Sequence, residues 1–226
     1  MVACWRLGTS ARHATPGTIV VWKSVTLTST TSWRSPAQWL AIGLLFAAQI
    51  GTSPLSAQSM PLAERIKQCA ACHGDDGNSK LEKIPSLAGQ PAFFILNQLF
   101  LMREGVRKIE AMDSFVKDLK DEDLQGLSAH YSKLPPKPTG EKVDPDLVKR
   151  GAELATRLRC GSCHLPTLVG QEQMPRLARQ RIDYMIDAMK AYRDNTRTGA
   201  DTAMTATIVG ASDADFAALA HYASTR

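Results

Sequence analysis

Cys69-Ala70-Ala71-Cys72-His73 and Cys160-Gly161-Ser162-Cys163-His164 are two copies of one five-residue pattern, Cys-x-x-Cys-His, set 91 residues apart. Two thiols one helical turn apart can both reach the vinyl groups of a single porphyrin, and the adjacent histidine is then placed under its iron. The pattern predicts covalent attachment of two haem c groups, through Cys69 and Cys72 and through Cys160 and Cys163, with His73 and His164 as iron ligands. A disulfide, a zinc knuckle or a redox Cys-x-x-Cys are the alternatives. Zinc needs further Cys or His ligands near each pair, whereas the remaining candidates are Cys4, His13, His130 and His221.

The chain between and around the motifs repeats. Superposed at an offset of 90 to 92 residues, Pro85-Ser86-Leu87-Ala88-Gly89-Gln90 matches Pro175-Arg176-Leu177-Ala178-Arg179-Gln180. In the same register Phe94 falls on Tyr184, Arg103 on Arg193, Arg107 on Arg197, Met112 on Met204, Asp123 on Asp215 and Leu127 on Leu219. Leu134-Pro135-Pro136-Lys137-Pro138-Thr139-Gly140 lies between the copies; its prolines cannot continue a helix and predict a semi-rigid linker. Each half is about 80 residues, small for an independent core, so a buried haem would supply much of the missing apolar surface.

Within each half the apolar period is helical. Leading helices are expected over Pro61–Gln68 and Pro145–Arg159, each running straight into its motif, with both prolines in a first turn. Pro91–Glu104, ended by Gly105, and Arg181–Asp194 predict central helices. Closing helices should begin near Asp121 and Asp213, whose carboxylates favour a helix N-terminus.

An iron that only transfers electrons needs a second axial ligand. Of eight methionines, Met112 and Met204 alone occupy equivalent places, 39 and 40 residues after their histidines, and are the expected distal ligands; the alternative is that they only pack. Met185 and Met189 sit at helical spacing and read as core. A metal-bound imidazole usually donates its other ring proton to a carbonyl, and Pro85 and Pro175, 12 and 11 residues after the histidines, are placed to supply one. Arg107 and Arg197 read either as partners of haem propionates or as solvated surface residues.

Residues 1–57 hold Arg6, Arg12, Lys23 and Arg34, no acidic residue, and the apolar run Trp39 to Ile50. A cationic region, a short hydrophobic segment and Ser56-Ala57 before Gln58 predict a secretory leader, too short for a comfortable membrane span; an uncleaved anchor is the alternative. Four of the 27 basic residues and none of the 22 acidic ones precede Gln58, so the remainder carries 23 basic against 22 acidic residues, a net +1. The overall formal charge of +5 thus belongs largely to the leader and gives no case for nucleic-acid binding.

These motifs resemble the two-haem class I cytochromes c of the cytochrome c4 type, and are also similar to the cytochrome subunit of flavocytochrome c sulfide dehydrogenases. Cys-Ala-Ala-Cys-His-Gly, Pro-Ser-Leu-Ala-Gly-Gln, the methionine and the Asp-x-x-x-Leu of the last helix carry the resemblance from Met60 to Tyr222. It implies an all-α fold of two tandem class I cytochrome c domains related by pseudo-twofold symmetry: leader 1–57, first domain 58–134, Pro-rich linker 135–144, second domain 145–226. It further implies a periplasmic dihaem electron carrier, not an enzyme by itself, that shuttles electrons between respiratory or dehydrogenase complexes and a terminal oxidase. The expected partners are a respiratory oxidase, a quinol-cytochrome c reductase or a dehydrogenase subunit, with room for loose membrane association. The alternative is the haem subunit of a flavin-dependent or other periplasmic dehydrogenase. Departures gather in the second half, where Leu165-Pro166-Thr167 replaces the Gly-Asp-Asp loop, Arg179 stands for Gly89, and His130 in the first half stands for the aromatic at Tyr222.

Overall fold

Proline and glycine punctuate the described residues, whose regular structure is helical. The computed structural model describes residues 60–199 and 201–226, and the leader region lies outside the described residues. Among the described residues the only β-type pairing is an isolated antiparallel bridge between Gln171 and Met174.

The first half is built from α1 (Leu62–His73), α2 (Ala92–Arg103), α3 (Glu110–Val116) and α4 (Asp121–Ser132). The second runs through α5 (Pro145–Arg157), α6 (Gly161–His164), α7 (Ile182–Arg193), α8 (Thr202–Ile208) and α9 (Asp213–Ser224). In each half the closing helix packs on the central one, α4 on α2 and α9 on α7, while the short helix lies against the central helix. Two expectations change here. Pro61 is the N-cap residue of α1 rather than a first-turn residue, and α1 continues through the whole first motif. The second motif is not a continuation of its leading helix: α5 stops at Arg157, Arg159 takes the left-handed conformation (φ 56°), and α6 starts afresh.

Equivalent residues hold equivalent corners. Arg103 donates to the Leu119 carbonyl and to Asp121 as Arg193 does to the Ala211 carbonyl and Asp213. Asp123 accepts from the Lys120 amide at the start of α4, and Asp215 from the Ser212 amide at the start of α9, which satisfies a backbone donor left free by the helix start. Each is also met by an arginine of the leading helix, Arg65 at 2.9 Å and Arg150 at 2.7 Å. Helices α5 and α9 cross at Gly151, where an added Cβ would lie 2.1 Å from the Ala218 carbonyl oxygen.

The halves meet through a reciprocal exchange. Gln90 donates to the Arg176 carbonyl and accepts from the Arg176 amide, both at 2.9 Å; Gln180 does the same to Ser86, both at 2.8 Å. Arg176 matches Ser86 in the repeat, so the contact has the self-complementary form that twofold symmetry demands. The linker is fastened along its length. Asp76 pairs with Lys137, Asn78 bonds the Pro135 carbonyl and the Lys137 amide, Arg179 donates to the Pro136 carbonyl, and Glu141 accepts from the first amides of α7.

Candidate functional site

Helix α1 delivers Cys69, Cys72 and His73 in its last two turns; α6 delivers Cys163 and His164, with Cys160 just before it. All four thiols are free, Cys69 and Cys160 half-buried, Cys72 and Cys163 exposed. Burial pushes the Cys69 and Cys160 thiols up from their ordinary range. Both histidines are 7% exposed, and each Nδ1 lies 2.8 Å from a proline carbonyl, Pro85 for His73 and Pro175 for His164. A carbonyl only accepts, so Nδ1 carries the proton and Nε2 keeps its lone pair. Burial also pushes both imidazoles below the usual histidine range, outweighing the upward pull of the carbonyls, which keeps that lone pair available.

The methionines divide as their surroundings dictate. Met112 on α3 lines a largely apolar crevice with Cys69, Leu99, Val116, Leu119 and Leu127. Met204 on α8 and Cys160 pack against one cluster containing Leu154, Ile208, Phe216 and Leu219. Met112 and Cys69 pack likewise on the first-half cluster of Ile95, Val116, Leu124 and Leu127. Met102 and Met185 are buried core residues. Thus in each half an attachment cysteine and the equivalent methionine flank the same apolar wall. The donor set fits covalent haem. Two further signs agree in the first half: the Tyr131 hydroxyl, beside the Cys69 thiol, is buried without a hydrogen-bond partner, and a cleft of about 450 Å³ opens along Ala71, Cys72 and Gly74. Among the described residues no group of three or more His, Cys, Asp or Glu is disposed to hold a metal ion.

Arg107 is not the solvated surface residue of the alternative reading. It is 7% exposed and donates to Gln98 at 2.6 Å, while Arg197, half-buried, approaches the same Gln98 oxygen at 3.5 Å and lies over the Tyr192 ring. Burial pulls the Arg107 guanidinium down from its ordinary range. Tyr184 lies between the two arginines; burial raises its hydroxyl, but the adjacent guanidiniums outweigh this and lower it. Equivalent residues of the two halves thus converge on one cationic cluster at their junction. Gln98 and the interface pair Gln90 and Gln180 escaped the sequence reading as site residues. For the pair the signal was present, a glutamine at the same place in both repeats.

The two helical halves, each with a Cys-x-x-Cys-His motif and an anchored histidine, define a dihaem c-type cytochrome, an electron-transfer protein carrying two covalent haem c groups. A family model described as cytochrome c oxidase, cbb3-type, subunit III matches residues 63–130, and one described as cytochrome c matches residues 148–225. Cytochrome c4 of Pseudomonas aeruginosa is 33% identical over 165 residues, which span 68% of this chain and 81% of that protein. The thiosulfate dehydrogenase electron acceptor of Thiomonas intermedia is 31% identical over 179 residues, 74% of this chain and 72% of the relative. The crystal structure of reduced recombinant cytochrome c4 from Pseudomonas stutzeri superposes with a TM-score of 0.65 at 28% identity, covering 74% of this chain and 98% of the other. The chain belongs to the cytochrome c4 family.

Proposed function

We propose that this protein is an exported, periplasmic carrier in which His73 and Met112 hold one iron and His164 and Met204 the other, and which passes single electrons between a reductase and a terminal oxidase. The observation that carries the ligand reading is the matched geometry of the halves: Nδ1 of each histidine tied to its proline carbonyl, Nε2 open, and the one repeated methionine on the short helix beside the attachment cysteine. The haem supplies a ferric/ferrous couple when bound. His73, Met112, His164 and Met204 would hold the irons, the clusters around Leu127 and Leu219 would exclude water, and Arg107 and Arg197 would offset propionate charge. Residues 1–57 are the leader in this reading, 58–134 and 145–226 the two domains, and 135–144 the linker. Among the described residues no helix is long and apolar enough to cross a membrane.

Protein produced with cytochrome c maturation factors should carry the mass of two haems, lack the leader, and show a near-infrared thioether-to-ferric-iron band of double intensity. One haem, or no such band, refutes the assignment. A second reading, electron acceptor of a dehydrogenase, is favoured by the similarity to a thiosulfate dehydrogenase electron acceptor. Stopped-flow reduction of the oxidised protein separates the two: rapid reduction by a quinol-cytochrome c reductase supports the carrier, and rapid reduction only by a dehydrogenase with its substrate supports the second.

A further inference from the structure

The peptide groups Pro85–Ser86 and Pro175–Arg176 each serve two masters. The Pro85 carbonyl accepts from His73 Nδ1 at 2.8 Å, while the N–H of the same peptide unit, that of Ser86, donates to Gln180 Oε1 at 2.8 Å. In the other half the Pro175 carbonyl accepts from His164 Nδ1 at 2.8 Å, and the Arg176 N–H donates to Gln90 Oε1 at 2.9 Å. Both glutamines are buried, 4% exposed each, and each belongs to the half opposite the histidine it reaches. We propose that Gln90 and Gln180 are crossed positioning residues, each setting, through one peptide unit, the hydrogen bond and hence the basicity of the proximal histidine in the opposite half.

A peptide whose N–H donates to a good acceptor becomes polarised, and its carbonyl becomes a better acceptor in turn. A stronger Nδ1–H···O bond gives the imidazole more electron density to share with an iron at Nε2, which favours the ferric form. Each half therefore reads the interface through its own histidine. This rests on the axial assignment of His73 and His164. The step that is tuned moves one electron, one iron being oxidised as the other is reduced, with no atom transferred. The crossing is not quite even. Gln180 Oε1 is shared with the Arg181 N–H at 3.0 Å, whereas the residue after Gln90 is Pro91, which has no N–H to offer. The pull on the His164 relay is undivided, so Gln90 should be the stronger of the two.

The test uses the intact two-haem protein and Gln→Met replacements, which remove the acceptor but keep the packed volume. In NMR-monitored redox titration the haem methyl resonances assign each midpoint to its own half, and the Nδ1–H resonances of the two coordinated histidines report the bond directly. Gln180→Met is expected to move the first haem's ferric/ferrous equilibrium toward ferrous by about twofold to tenfold, the worth of one neutral hydrogen bond, and to shift the His73 Nδ1–H signal. Gln90→Met should do the same to the second haem and His164, by the larger factor. A change confined to the haem of the mutated half, or equal changes in both haems, would overturn the relay. Failure of the parent protein to show two coordinated Nδ1–H signals would sink the ligand assignment first, and the relay with it. Should either methionine variant lose an interface, Gln→Asn, which shortens the acceptor without making the site apolar, must show the same crossed pattern or the proposal is wrong.

Discussion

Met112 and Met102 are ten residues apart and chemically identical, yet the fold gives them different tasks. Met102 is buried among Ile95, Leu124 and Leu127, while Met112 faces the crevice that holds Cys69. Met112→Ala or Met204→Ala should each remove half of the near-infrared band and lower that haem's potential, since thioether ligation favours the ferrous state. Met102→Ala should leave the band and cost about 2–5 kcal/mol of stability, as core methionine deletions do; thermal unfolding and spectra of the same samples decide. The repeat in the sequence singles out Met112 and Met204 as the proposed ligands, because a ligand must recur wherever its iron does. Arg107 was not legible in that way: its burial depends on how two halves meet, and a repeated arginine looks the same on a surface. A second residue-scale contrast concerns the position after each histidine. Gly74 (φ 85°, ψ 146°) and Leu165 (φ 66°, ψ 156°) share a backbone conformation essentially reserved for glycine. At Gly74 a Cβ would also lie 2.6 Å from the Asn78 carbonyl oxygen. Gly74→Ala should cost about 2 kcal/mol or more, and Leu165→Gly should raise stability by about 1 kcal/mol; denaturant midpoints of the holoprotein check both signs.

At the scale of elements, the central and closing helices could be read to within a residue or two because proline, glycine and acidic N-terminal residues mark their ends. The closing helices begin at Asp121 and Asp213, where the acidic residues placed them. The short helices α3 and α8 were not legible, for seven residues give too little periodicity. Neither was the break at Arg159, since nothing in a run of arginines and leucines announces a left-handed residue. The start of α9 carries a pH dependence. Bonds from the Ser212 amide and hydroxyl, together with Arg150, hold the Asp215 carboxyl at about 2, below the ordinary value near 3.9. A carboxylate depressed in the folded state stabilises above its unfolded value and loses that contribution as pH falls through the folded one. Asp215→Asn should therefore cost about 1 kcal/mol at neutral pH, and the gap between variant and parent should shrink from about pH 4 downward and close near pH 2. Chemical unfolding across that range is the measurement.

For the whole molecule, the proposed ligand sets of the two halves are alike, so a difference between the irons would come from what surrounds them. Leu165 against Gly74, Arg179 against Gly89, and Tyr184 against Phe94 put different side chains at equivalent places in the two halves. Two unequal midpoints are expected in redox titration. Arg107→Met should lower both, because a buried cation at the junction favours the less positive, ferrous form of each neighbour; a shift in only one would show that the cluster serves a single half. The two-domain, all-helical plan was legible from the repeat alone. The reciprocal contacts of Gln90 and Gln180 were not: the repeat marks both glutamines, but which residues they meet across the halves has no signature in a single sequence.

The cluster at the junction bears on how the molecule matures. Before haem is attached, apposed halves bring Arg107 and Arg197 together in a half-dry space with Gln98, Tyr184 and the Tyr192 ring to receive them. Confining two like charges without a counter-ion opposes that apposition. Propionates on bound haems would supply the missing counter-charge, so the closed junction should be more stable in the dihaem protein than in the unloaded chain.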